Sequence, residues 1–125
     1  MTDEEILQLA DRLFTSIETG DLVAVDAIYD DGIRVWGNHD DRERDKASAL
    51  RVLDWLCSRM SDRRYEVRRR VVIPGGFVQE HVLHGRAPDN TAIAMPACIV
   101  AQVEGGAFTR INEYLDPAGI AALSR

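Results

Sequence analysis

"AIAMPACIVAQVEGGAFTRINEYL", residues 92–115, decides the fold. Two runs rich in apolar and β-branched residues flank the "EGG" at 104–106, a pattern that predicts two antiparallel strands joined by a tight turn. Within 92–103, alternation puts Ile93, Met95, Ala97, Ile99, Ala101 and Val103 on one face. Cys98 and Val100 make part of the other face apolar as well. A sheet apolar on both sides needs cover on both sides, so a second copy of the chain is the expected cover for the side that helices leave open, giving a homodimer through the sheet.

Upstream, the pattern repeats. "YEVRRRVVI", a "PGG" turn at 74–76, "FVQEHVLHG" and the loop "RAPDNT" read as two more strands and their connections. The basic run "RRYEVRRR" at 63–70 alternates with apolar residues and reads as a solvated sheet face. The first half of the chain is helical instead. Ile6, Leu9, Ala10, Leu13, Phe14 and Ile17 recur at three- and four-residue steps and mark the buried face of a helix over 4–19. Gly20 suits its left-handed close, and Asp21 can accept from the first amides of a second helix through Leu22, Val25, Ile28 and Tyr29. "DDG" at 30–32 breaks that helix, "IRVWG" reads as a strand, and a third helix is expected from Lys46 to Met60 with Leu50, Leu53, Leu56, Cys57 and Met60 as its stripe. Helices first and a strand meander after them make an α+β fold rather than alternating βαβ units. No repeat or linker divides the chain, so residues 1–125 form one domain.

Charge narrows the function. With 15 Lys and Arg against 21 Asp and Glu, the net charge of −6 would repel phosphate backbones, and nucleic acid is not an expected partner. The acidic start "MTDEEILQ" lacks the basic flank of a signal peptide, and no apolar run approaches the ~20 residues of a membrane helix, so the expected location is cytoplasmic, without membrane association. Cys57 and Cys98 have no close-spaced partners and read as buried small hydrophobes.

The order helix, Gly20-Asp21, short helix, Asp31, strand, third helix, then a meander through Gly105-Gly106 to Glu113-Tyr114-Leu115-Asp116 resembles the SnoaL-like branch of the nuclear-transport-factor-2-like superfamily. Ketosteroid isomerase, limonene epoxide hydrolase and polyketide cyclases are relatives. The resemblance covers nearly the whole chain and implies a cone: a strongly curved antiparallel sheet wrapped around the N-terminal helices, with an apolar cavity between them. It implies enzymes, ligand binders and adaptors alike, so function must be read from the pocket. The isomerase's tyrosine, base and donor acid fall at Leu13, near Gly37 and near Ile99, none of which can do that chemistry. The epoxide hydrolase's Tyr and Asn water-holders fall at Trp36 and Asn38, its catalytic acid at Glu113, its arginine near His81 and a second aspartate near Leu83. Cyclase-type carboxylate and histidine chemistry is offered by His81, Glu113 and Asp116.

Alternation independently puts Glu113 with Ile111 and Leu115 on the buried face, where loss of hydration raises a carboxyl pKa toward neutrality. Pairing with an arginine at the sheet edge is the structural alternative. His81 shares a face with Phe77, Gln79 and Leu83 and is a candidate proton relay to Glu113. "RVWGNHDD" at 34–41 is either a hydrated turn or a pocket rim. As a rim it supplies Trp36 as a wall, with Asn38 and His39 as polar contacts. Phe14, Ile17, Trp55 and Met95 are candidate lining. Ligands at metal-site spacing are missing, so no metal and no cofactor is expected. The sequence thus points to a cofactor-free acid/base enzyme for a compact apolar or polycyclic molecule, with Glu113, His81 and Asn38 catalytic. The alternative is a non-catalytic binding or interaction module, and a packed-shut dimer without a cavity is a third reading.

Overall fold

The computed structural model describes residues 1–124. Helix α1 (Asp3–Thr19) starts at Thr2, whose side chain accepts from Glu5 N while Glu5 reaches back to the Thr2 amide. This capping box satisfies amides the helix cannot satisfy itself. Gly20 closes it at φ 75°, a conformation costly for any residue with a Cβ. Asp21 Oδ1 then accepts from Ala24 N (3.1 Å) to start α2 (Leu22–Ile28). All six residues of the expected α1 stripe are buried.

Six strands follow: β1 (Tyr29–Gly37), β2 (Arg42–Arg44), β3 (Ser61–Ile73), β4 (Gly76–Arg86), β5 (Ala92–Glu104) and β6 (Ala107–Leu115). Helix α3 (Lys46–Arg59) separates β2 from β3, and α4 (Ala118–Leu123) closes the described chain. The sheet order is β2-β1-β6-β5-β4-β3, antiparallel except where β1 runs parallel to β6. Its concave face and α1 and α2 enclose one core around Leu13, Phe14, Ile28, Phe77 and Phe108; a smaller one under α4 holds Met60, Leu83, Met95 and Leu123. The α+β cone is therefore the observed architecture.

Several local expectations change. Tyr29 is not the end of α2 but the first residue of β1, and "DDG" lies within that strand as a register irregularity between Tyr29 and Arg34. Asp30 Oδ2 accepts from Gly32 N (2.9 Å), a local turn that distorts the strand without ending it. Helix α3 ends at Arg59, and only Ala49 of it is fully buried, so it roofs the core rather than sealing it. Cys57 and Cys98 are free and half-buried rather than core residues.

The basic run is not one solvated face. Arg63 donates to the carbonyls of Ile17, Glu18, Cys57 and Met60, tying the carboxyl ends of α1 and α3 to β3. A bulge between Val67 and Arg69 resets the alternation of β3 and turns Arg70 inward opposite Gln79.

Candidate functional site

Between the concave sheet, α1, α3 and α4 lies a cavity of about 170 Å³. Its walls are largely hydrocarbon: Phe14 and Ile17 from α1, Leu53 and Trp55 from α3, Met95 and Ile99 from β5, Ile111 from β6. Four groups that can hydrogen-bond break this lining from inside: Glu113, Tyr29, Tyr65 and His81. His39 and Arg44 border it from the β1–β2 end.

Glu113 is carried in by the alternation of β6, paired with Ile99 on β5 and Gly37 on β1. Among the described residues no side chain donates to its carboxylate and no cation pairs with it, which settles the choice against an edge arginine. By surface area Glu113 is half-buried, and it lines the cavity. Burial alone pushes its pKa up to about 7. Tyr29 and Tyr65 sit in its field: burial first, and the Glu113 charge second, hold both phenols well above their ordinary value. Both therefore remain protonated donors at any working pH. Among the described residues neither hydroxyl has a protein partner and no buried side-chain nitrogen or oxygen is left unsatisfied, and both residues line the cavity.

His81 lies on β4, packed edge-on against Phe14 (ring centroids 5.5 Å apart) and Tyr65 (4.9 Å). Its Nδ1 is 2.9 Å from Gln79 Nε2. Gln79 Oε1 in turn accepts from Arg70 Nε (2.7 Å), and Arg70 Nη1 reaches Asp11 (2.7 Å). Burial and then the nearby Arg70 charge lower the His81 pKa to about 4, so the ring is neutral near pH 7. The structure does not join it to Glu113. Strand β5 stands between them, and two strand spacings already separate the backbones by roughly 10 Å. A direct proton relay between the two is thus not built.

The stretch 34–41 turns out to be both turn and rim. Trp36 borders the cavity as expected, while its indole also leans on Tyr114 (centroids 5.2 Å) and donates from Nε1 to Asp41 Oδ1 (2.8 Å). Asp41, at φ 53°, turns the chain into β2. Gly37 has a positional reason. A Cβ there would come within 2.8 Å of His39 Nδ1, so the missing side chain lets the imidazole fold over the backbone beside Glu113. Asp40 anchors this rim by accepting from Arg44 Nη2 (2.6 Å), the main reason its carboxyl pKa is lowered.

Two expected site residues lie outside. Asn38 spends its side chain on Leu115, receiving its amide at Oδ1 (2.8 Å) and donating from Nδ2 to its carbonyl (3.3 Å). It extends the β1–β6 ladder and orients nothing in the cavity. Asp116 caps α4 by accepting from Ala118 N (3.0 Å) and lines a shallow groove on the outer side. Phe14, Ile17, Trp55 and Met95 do line the cavity, with Trp55 partly exposed at its mouth. Tyr29 and Tyr65 were not foreseen. The helical period reached Tyr29 before the strand was evident, and Tyr65 sits inside the arginine-rich run.

Fold and site together define a class: small cones of curved sheet that hold an ionisable group in an apolar hollow. Residues 10–111 match the SnoaL-like domain family, and the chain belongs to it. Solved structures of the same fold include an NTF2-like protein from Burkholderia xenovorans, with 20% identity, a TM-score of 0.77, and coverage of 100% of this chain and 99% of that one. An LEH-like epoxide hydrolase from M. tuberculosis shares 17% identity at a TM-score of 0.78, over 98% and 91% of the two chains. PrhC from Penicillium brasilianum shares 14% at 0.86, over 98% and 87%. At such identities the likeness establishes the fold alone. No curated protein matches the chain in sequence. Among the described residues, no helix is long and apolar enough to cross a membrane, and no cluster of three or more His, Cys, Asp or Glu is placed to hold a metal ion.

Proposed function

We propose that the protein catalyses acid/base chemistry, an isomerisation, cyclisation or hydration, on a compact apolar molecule bearing an oxygen function, with Glu113 as the proton-transfer group. The observation that carries this reading is a carboxyl with no protein partner among the described residues, lining a largely hydrocarbon cavity, with its pKa pushed by burial up to about 7. At that value both protonation states are populated near neutrality, so the same group can remove a proton and return it. Tyr29 and Tyr65 supply hydroxyl donors beside it, suited to oxygen that gains negative charge during the reaction. A hollow of this size is close to the engineered cavities of about 150 Å³ that take up benzene, which favours one ring over a polycyclic skeleton.

The test is Glu113→Gln, which keeps shape and removes the titration. In a turnover screen of small cyclic ketones, enols and epoxides, the variant is expected to lose about 10²- to 10⁴-fold in kcat on whichever compound the wild type converts. Unchanged turnover would remove Glu113 from the reaction. The homodimer is proposed on the outer sheet face, where Val71 and Tyr114 are exposed beside half-buried Val78 and Val100. Light scattering giving one chain per particle at micromolar concentration would refute it.

A further inference from the structure

We infer that Gln79 and Arg70 fix His81 in a single tautomer that presents Nε2–H to the cavity, making His81 a binding subsite for an uncharged oxygen acceptor such as a carbonyl or ether. The inference deepens the acid/base reading above and rests on it for the identity of the cavity as a substrate site. The argument runs along one chain of hydrogen bonds. A guanidinium can only donate, so the Gln79 atom 2.7 Å from Arg70 Nε must be the amide oxygen. The other end of that amide is then the nitrogen, and it faces His81 Nδ1 at 2.9 Å. An amide nitrogen also can only donate. Nδ1 therefore accepts and carries no proton, and the proton of the neutral ring resides on Nε2. Asp11 holds Arg70 from outside, and the guanidinium lies over the Phe14 ring at 5.9 Å, so the first donor in the chain is itself held in place.

Nε2 has no protein partner among the described residues. His81 is only 3% exposed, yet none of its polar atoms counts as buried and unsatisfied. The little surface it shows must then include Nε2, and the ring is on the cavity side, between Phe14 and Tyr65. A buried N–H kept free of any protein acceptor is costly unless a ligand or water supplies one. Because the ring cannot readily take a second proton, it offers one hydrogen and no charge. That discriminates for neutral acceptors and gives no advantage to carboxylates or phosphates. Glu113 and His81, two strands apart on the same concave face, would engage separate atoms of one ligand: a proton at the β6 side, an acceptor oxygen at the β4 side. Arg70 and Gln79 touch no ligand in this scheme and are positioning residues.

Two measurements on the intact protein decide the matter. Long-range ¹H–¹⁵N spectra of the His81 ring at pH 7 should show a bare Nδ1 and a protonated Nε2, and Arg70→Met, which frees the Gln79 amide to turn, should yield a mixture of tautomers. A ring protonated at Nδ1 in the wild type, or a variant indistinguishable from it, overturns the inference. Second, cyclohexanone should bind about tenfold more tightly than methylenecyclohexane, the same shape without the oxygen, as expected for one hydrogen bond in a dry site. His81→Phe, which keeps the ring packing, should abolish the preference. Equal binding of the two probes to the wild type, or a preference that survives His81→Phe, also overturns it. Neither readout involves turnover, so an inert Glu113→Gln result would sink the acid/base reading and leave the subsite standing, and the reverse holds equally.

Discussion

The β6 side and the β4 side of the cavity treat an ionisable group in opposite ways. Glu113 has its pKa raised by burial and meets no side-chain donor among the described residues. His81 is wired through Gln79 and Arg70 to Asp11 at the surface, and its pKa is lowered. The difference teaches what each can do. An unpaired acid near neutrality is mobile in charge and suited to carrying protons, whereas a tethered neutral imidazole is fixed in charge and suited to holding something still.

The contrast breaks most visibly in stability against pH. Glu113 is an acid whose folded pKa, about 7, exceeds its ordinary 4.5. The folded state then holds the extra proton between those values, so its stability is intact below 4.5 and falls as pH rises through 7. Glu113→Gln should therefore be more stable than wild type at pH 8, by up to about 3 kcal/mol, with the gap closing below pH 5 in urea unfolding curves. A constant gap across that range would mean that Glu113 is paired or hydrated after all. The other side should respond with the opposite sign. His81→Phe leaves the Gln79 amide without its acceptor and should destabilise the protein by about 1–3 kcal/mol at pH 7. With its folded pKa near 4 against an ordinary 6.5, His81 also contributes stability that is present above 6.5 and lost as pH falls through 4. The variant should accordingly lose part of the wild type's acid sensitivity in that window. The smallest effect belongs to Asn38→Ala. It removes two hydrogen bonds that extend the β1–β6 ladder, which should cost about 1–2 kcal/mol while leaving probe binding in the cavity unaltered. Weakened probe binding would return Asn38 to the site.

Periodicity carried most of the architecture because it reflects burial directly. The α1 stripe, the inward face of β5 and the entry of Glu113 all follow from counting by 3.6 or by two, and the Gly20-Asp21 junction from the chemistry of helix ends. The same counting failed where local geometry interrupts it. Tyr29 sits where a helix passes straight into a strand, so the helical template claimed a residue that the sheet positions. Arg70 was assigned to solvent because a bulge cannot be seen in an alternation that it shifts. Asn38 and Asp116 are polar residues at the ends of strands, where completing a ladder or capping a helix looks the same in sequence as facing a ligand.

The bulge in β3 has a further consequence. Because the bulge at Arg68, between Val67 and Arg69, determines which guanidinium comes inside, the identity of the donor behind Gln79 depends on pairing register as much as on side-chain type. If the same residues paired without the bulge, Arg68 would stand opposite Glu80 and Arg69 opposite Gln79, which leaves every arginine in the run yet swings Arg70, the partner of Asp11 and Gln79, to the far surface. Composition would not register the change, while the cavity would lose the group that disciplines the buried imidazole of His81.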